Sequence, residues 1–365
     1  MRRVCVVLSV VMLLVAVTPA LDFQLAVTKK TTLKGDLEDL VVFGGIKEMT
    51  CDSNGNIFSP STRKYSSADN AIVRFPHDGS SFTKFSIDSL NSLEGGTITD
   101  FELEPNGELY VLARQVLKYS NVEVPIEFGK NFILHYDHSG KVLSQLELKL
   151  DTNNFSPTGF AVLQGGEFLV VGYRLEKGNT FLITESFLST GMLKARVNLN
   201  PSGTKTSKGK TVESPRVFHP AAIKAQGLIY VLRGTTTEPI YVLSESGTLM
   251  KSIQLSPADL EFDSPTILGN ELIVKEHPPS PSPNPSTGII ELTHPTRINL
   301  PIFSMETGKV TDRYFWYNET AGLACATSTS LTFIGQDISS VIPDWAVLET
   351  KPVGSRKSSS SAAGR

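Results

Sequence analysis

The sequence predicts an all-β protein: six four-stranded antiparallel blades in a ring, a six-bladed β-propeller closed by its N-terminal strand joining the last blade. Three observations predict it. A two-strand unit with a glycine turn recurs five times, each unit is preceded by a second hairpin, and the chain starts with one strand too many and ends one short. A period of this length is the mark of a repeat architecture and takes precedence over any local assignment.

The clearest unit is Phe132 to Leu150, FILHYDHSGKVLSQLELKL, two strands joined at His138-Ser139-Gly140. The same design surrounds Gly79, Gly191, Gly247 and Gly308. In each, glycine supplies the positive φ that the turn needs. The short polar residue before it (Asp78, Ser139, Thr190, Ser246 or Thr307) can bond the turn backbone. The preceding hairpins turn at Asn54-Gly55, Asn106-Gly107, Gly165-Gly166, Gln226-Gly227 and Gly269-Asn270. Each repeat therefore reads as strands a, b, c and d with tight a–b and c–d turns. The b strands are near-continuously apolar (Leu109–Leu112, Phe168–Val171, Ile229–Leu232, Leu272–Val274), as a strand buried on both faces should be. The d strands alternate, as an outer edge half in water should.

A sixth repeat supplies only three strands, Gly322–Thr327, Leu331–Gly335 and Trp345–Glu349. The unpaired alternating strand Phe23–Leu33 can provide the fourth, and closure of this kind leaves no open sheet ends. Trp316 and Trp345 are expected between blades. Glu276–Arg297 is proline-rich and interrupts the fifth repeat between b and c as a surface loop; Asn200–Val217 is a smaller insertion between the third and fourth repeats.

Arg2 and Arg3, the apolar run Val4–Val17 and the small residues Thr18-Pro19-Ala20 read as a secretory leader cut near Ala20. The expected organisation is leader 1–20, propeller 21–350 and a Ser-rich disordered tail 351–365. The expected location is secreted or periplasmic, with no transmembrane segment after leader cleavage. A net charge of −3 gives no nucleic-acid footprint, and the chain reads as a monomer. Cys51 lies six residues before Ile57, and Cys325 lies six before Leu331. If the two are equivalent in their repeats, their side chains point in the same rotational sense and remain two buried thiols rather than a disulfide.

DSNGNIF (52–58), PNGELYV (105–111) and ILHYDHSGKV (133–142) resemble repeats of the NHL and TolB-like six-bladed propeller superfamily, over almost the whole chain beyond the leader. The resemblance implies an exported propeller that presents loops to a ligand or partner. Members range from binding modules to lactone hydrolases of the gluconolactonase type, which carry an acidic metal site on the channel side.

In such a ring strand a begins and strand b ends at one face beside the channel. Strand a starts there at Glu48, Asp100, Thr158, His219 and Asp263; strand b ends there at Arg63, Arg114, Arg174, Arg233 and Lys275. Five blades thus bring a cation to one rim. Three readings stand. The cations, with His219, form a funnel for a small polar or anionic ligand, arginine's planar fork suiting carboxylates. Alternatively Glu48, Asp100 and Asp263 hold a divalent cation, Ca²⁺ first, because hard cations take carboxylate oxygen. Or the charges pair with one another and only hold the rim. The first reading makes the protein a binding scaffold for a small ligand or a protein and needs no cofactor. The second makes it a metal-dependent hydrolase of the lactonase kind. Cell-envelope assembly, with the proline loop as docking segment, is a further use of the same scaffold. The chain contains no G-x-S-x-G elbow, Walker loop or H-E-x-x-H motif.

Overall fold

The computed structural model describes residues 20–34, 49–61, 70–87, 90, 93, 96–119, 127–150, 154–177, 179–200, 204–205, 220–277, 297–317, 321–337 and 344–353. Residues 1–19, most of the two segments read above as insertions, and residues 354–365 lie outside them. The fold is all-β. Strand β1 (Leu21–Thr32) comes first. The first sheet is β2 (Thr50–Cys51), β3 (Ile57–Ser61), β4 (Ala71–Phe75) and β5 (Thr83–Ser86). The second is β6 (Thr97–Leu103), β7 (Leu109–Tyr119), β8 (Glu127–Tyr136) and β9 (Val142–Leu148). The third is β10 (Phe155–Val162), β11 (Phe168–Glu176), β12 (Asn179–Phe187) and β13 (Leu193–Asn198), with the short β14 (Thr204–Lys205) also on β12. The fourth is β15 (Ala221–Ala225), β16 (Leu228–Leu232), β17 (Ile240–Ser244) and β18 (Leu249–Ile253).

The last seven strands are β19 (Phe262–Leu268), β20 (Glu271–Glu276), β21 (Ile298–Ser304), β22 (Val310–Trp316), β23 (Gly322–Ala326), β24 (Leu331–Asp337) and β25 (Asp344–Pro352). With β1 they form one eight-stranded sheet in the order β19-β20-β21-β22-β1-β25-β24-β23. β1 is the join. Its residues Leu21–Gln24 run parallel to β22, and Leu25–Thr32 run antiparallel to β25. The N-terminal strand thus completes the end of the chain, and β25 reaches Pro352, two residues into the segment assigned above to the tail. Lys351 and Pro352 are strand because Ala26 and Leu25 pair with them.

The sheets form a propeller-like ring, and the apolar pattern explains why. A b strand faces both neighbours: Ile229 and Val231 of β16 pack towards the third sheet with Val171 and Leu182, while Tyr230 and Leu232 pack towards Phe262 and Leu272 of β19 and β20. Equivalent apolar layers join Phe58 and Phe85 to Phe101 and Tyr136, Ile133 to Phe160 and Phe187, and Ile273 and Leu300 to Leu323 and Phe333. A further layer joins Ala324 and Ile334 back to Ile57 and Phe75, so the end of the chain meets its beginning. Trp316 lies 5.1 Å from Phe333 of the same eight-stranded sheet, and Trp345 packs at the layer between that sheet and the first. The outer strands β9, β13 and β18 are largely exposed.

The c–d turns dock on the preceding sheet. Gly308 sits at φ +69°, its carbonyl accepts the Ser256 N–H at 2.9 Å, and a Cβ there would overlap the Gln254 carbonyl. Gly165, at φ +82° in an a–b turn, has open space around it.

One expectation is corrected. Cys51 and Cys325 form a disulfide, with Cα atoms 5.6 Å apart. Their positions are not equivalent. Cys51 stands opposite Ile57, but a bulge between Leu323 and Cys325 sets Cys325 opposite Thr332 and Ala326 opposite Leu331. A shift of one residue turns a side chain to the other face of its strand, so the two sulfurs converge across adjoining strands β2 and β23.

Gly308→Ala is expected to cost about 2–3 kcal/mol in urea unfolding, positive-φ strain plus the clash, while Gly165→Ala costs about 1 kcal/mol; equal losses would show that turn docking contributes nothing. In a Cys5→Ser background, titration of the denatured, unreduced protein with a thiol reagent is expected to find no free thiol, and modification of either Cys51 or Cys325 would contradict the bridge.

Candidate functional site

Antiparallel pairing brings the start of each first strand beside the end of each second strand. Thr97 faces Arg114, Phe155 faces Arg174, and Asp263 faces Lys275. The first strands also bulge at this end, between Ile98 and Asp100, Pro157 and Gly159, and Asp263 and Thr266. Bulges bend a strand and re-aim its side chains, so the polar groups here do not follow simple alternation. Glu48, Arg63 and His219 lie outside the described residues.

The other predicted rim residues are engaged within the protein. Arg114 is buried; its Nε donates to Asn131 Oδ1 at 3.2 Å and its Nη2 to the Pro157 carbonyl. Asp100 is also buried, and its two oxygens accept the Phe101 N–H at 2.8 Å and the Phe160 N–H at 2.9 Å. Both residues therefore tie the second sheet to the third. The Thr158 hydroxyl does the same between the third and fourth, donating to the Pro220 carbonyl at 2.9 Å. Arg174 meets Glu176 at 2.6 Å and the buried Glu185 at 3.4 Å, and Glu185 also receives Arg196. Arg233 donates to Tyr173 Oη at 3.1 Å, lies over that ring and pairs with Glu238. Burial pushes the Tyr173 hydroxyl's pKa up, which keeps it a neutral phenol.

Asp263 and Lys275 are brought together, with two residues that sequence reasoning missed. His277 Nε2 lies 2.8 Å from Asp263 Oδ2, Lys275 Nζ lies 3.8 Å from the same oxygen, and the Ser264 hydroxyl donates to Oδ1 at 2.9 Å. His277 was legible in principle: it is two residues after Lys275, hence on the same side of the strand. Ser264 was not, because its role depends on the bulge. Ser264 holds φ +49°, a left-handed conformation that a non-glycine residue adopts only when its surroundings enforce it. Burial by itself raises the Asp263 pKa. The His277 hydrogen bond and the Lys275 and His277 charges outweigh that and hold the carboxyl below the ordinary aspartate value. The cluster is a desolvated carboxylate flanked by an ammonium, an imidazole and a hydroxyl. Among the described residues, the group of three or more potential metal ligands is Cys51, His77 and Cys325, not the rim acids. No helix among the described residues is long and apolar enough to cross a membrane.

No protein-family model matches the sequence. No curated protein matches it either. Among solved structures the chain is similar to a protein of unknown function from Dyadobacter fermentans, at 9% identity over 90% of this chain and 99% of that one, with a TM-score of 0.54. That likeness is one of fold alone. A chain of the mitotic checkpoint complex aligns at 10% identity over 97% and 99% of the two chains, with a TM-score of 0.42, too low to bear on the argument.

Because the folded carboxyl of Asp263 titrates below its unfolded value, its contribution to stability is complete above the ordinary aspartate pKa and is lost as pH falls through the lower folded value. Asp263→Asn is accordingly expected to destabilise the protein by about 1–3 kcal/mol at pH 7 and by progressively less as pH falls below the ordinary aspartate value, measured by urea unfolding at each pH; a penalty that does not shrink in acid would show that the carboxylate's charge is not what holds the cluster.

Proposed function

We propose that this chain is an exported six-bladed propeller of the NHL and TolB-like kind that acts as a recognition scaffold, taking a small polar or anionic ligand at the face where first strands begin and second strands end. The six-blade count is supported by the pairing of β1 with β25, which gives the last three strands an outer fourth, and by apolar layers between all successive sheets. The observation that carries the functional reading is the Asp263, Ser264, Lys275 and His277 cluster. It joins a strained backbone, a buried carboxylate, an ammonium and an imidazole at the predicted face, and strained backbone and desolvated titratable groups both concentrate at functional sites. The described arginines play the supporting role. Their pairing within and between sheets gives the site a rigid frame and leaves ligand contact to the cluster on β19 and β20.

A thermal-shift screen of sugar acids, sugar phosphates and dicarboxylates, with elemental analysis of the purified protein, tests this. At least one anion is expected to raise Tm, and Lys275→Ala with His277→Ala to abolish that shift while Arg174→Ala leaves it in place. Stoichiometric Ca²⁺ lost on Asp263→Asn, together with lactone hydrolysis, would overturn the scaffold reading in favour of the hydrolase.

A further inference from the structure

Cys51 and Cys325 meet where the first sheet adjoins the last, and a third potential ligand stands beside them. His77, in the turn between β4 and β5, places Nε2 3.9 Å from Cys325 Sγ. One donor atom from each of Cys51, His77 and Cys325 lies within 4.8 Å of the others. In a tetrahedral zinc site with bonds of about 2.0–2.3 Å, a nitrogen and a sulfur ligand are about 3.5 Å apart, so relative to Cys325 the imidazole is within a few tenths of an ångström of ligating distance. Its other nitrogen, Nδ1, lies 3.5 Å from Glu349 Oε1, which Lys29 holds at 3.2 Å. A carboxylate on the far nitrogen is the device that fixes the tautomer and orientation of a ligating histidine.

The repeat offers an internal comparison. His138 occupies the same place in the turn between β8 and β9, two residues before the turn glycine, and lies over Gly107 as His77 lies over Gly55. There its Nδ1 meets the Gly107 carbonyl at 3.2 Å, and the chain's remaining cysteine, Cys5, lies outside the described residues. Turn packing therefore accounts for a histidine over the a–b turn. It does not account for two cysteines and a carboxylate gathered around one of them.

We propose that this seam is a two-state site: a disulfide clamp when oxidised and, when reduced, a zinc site built from the Cys51 and Cys325 thiolates and His77 Nε2. A dithiol reductant supplies two electrons and two protons. The Cys51–Cys325 bond breaks, two thiols form and the reductant becomes a disulfide. Zn²⁺ then displaces one proton from each thiol. Three protein ligands leave a fourth position for water or an external ligand, and Glu349 acts as a positioning residue. In both states β2 remains joined to β23, so reduction does not open the ring.

The test uses the whole protein in a Cys5→Ser background, oxidised or reduced with tris(2-carboxyethyl)phosphine and desalted, titrated with Zn²⁺, with Co²⁺ as spectroscopic probe and Ca²⁺ as control. Reduced protein is expected to take one Zn²⁺ and, with Co²⁺, to show sulfur-to-cobalt charge transfer in the near ultraviolet; oxidised protein takes none and Ca²⁺ does not compete. His77→Ala and Glu349→Gln are each expected to weaken Zn²⁺ binding about tenfold or more, with near-ultraviolet circular dichroism confirming the fold. Reduced protein that takes up no Zn²⁺, equal uptake by oxidised protein, or unchanged affinity in His77→Ala overturns the proposal. The comparison of oxidised with reduced protein is made on one chain, so it decides the matter even where a cysteine variant does not fold.

Discussion

The structure depends on how the two ends of the chain are joined. β1 comes from the beginning of the chain but serves its end, with one half parallel to β22 and the other antiparallel to β25. Without it β25 would have a bare outer edge, and the eight-stranded sheet would fall into two parts, β19–β22 and β23–β25, with no backbone link between them. The disulfide fastens the other side of the same region, joining β2 to β23 across a separation of 274 residues. By loop-closure entropy a cross-link of that span is worth on the order of 5 kcal/mol at most. β1 already restricts the same loop, so the two effects do not add. The four-stranded sheets are built from local hairpins, with the turns at Gly140, Gly191, Gly247 and Gly308 docking on the sheet before; among the described residues this seam is the place that relies on residues from opposite ends of the chain.

The rim illustrates how a set of charges can divide into frame and site. Arg114, Asp100 and Thr158 bond to backbone groups of the neighbouring sheet, where a partner lost would leave a desolvated polar group. Arg174 and Arg233 are matched with carboxylates and a phenol beside them. Asp263 differs. Its oxygens are met by side chains rather than by neighbouring backbone, and the adjacent Ser264 is strained. In the proposed scaffold, ligand contact falls to β19 and β20 and the remainder serves as a stiff support. The seam is a second, chemically distinct locality, sulfur and imidazole where the rim is carboxylate and ammonium, and neither borrows a residue from the other.

The sequence by itself determined the strand repeat, the turn positions, the burial of b strands on both faces, the exposure of the outer strands β9, β13 and β18 and the use of the N-terminal strand by the end of the chain. All of these follow from period-two patterning and from glycine in turns, which are local properties. It also identified the end of each sheet at which charges gather, because antiparallel order dictates that Asp263 must lie near Lys275. Only the tertiary structure decided which charges meet and what they do. The physical reason is the β-bulge, one extra residue that patterning does not reveal. The bulge after Leu323 turns Cys325 towards Cys51 and replaces two expected thiols with a bridge, and the one after Asp263 brings Ser264 onto the carboxylate. The gathering of His77 and Glu349 beside the cysteines likewise depends on how the first and last sheets face each other, through contacts between residues 272 positions apart (77 to 349) and 274 apart (51 to 325) that no local pattern encodes.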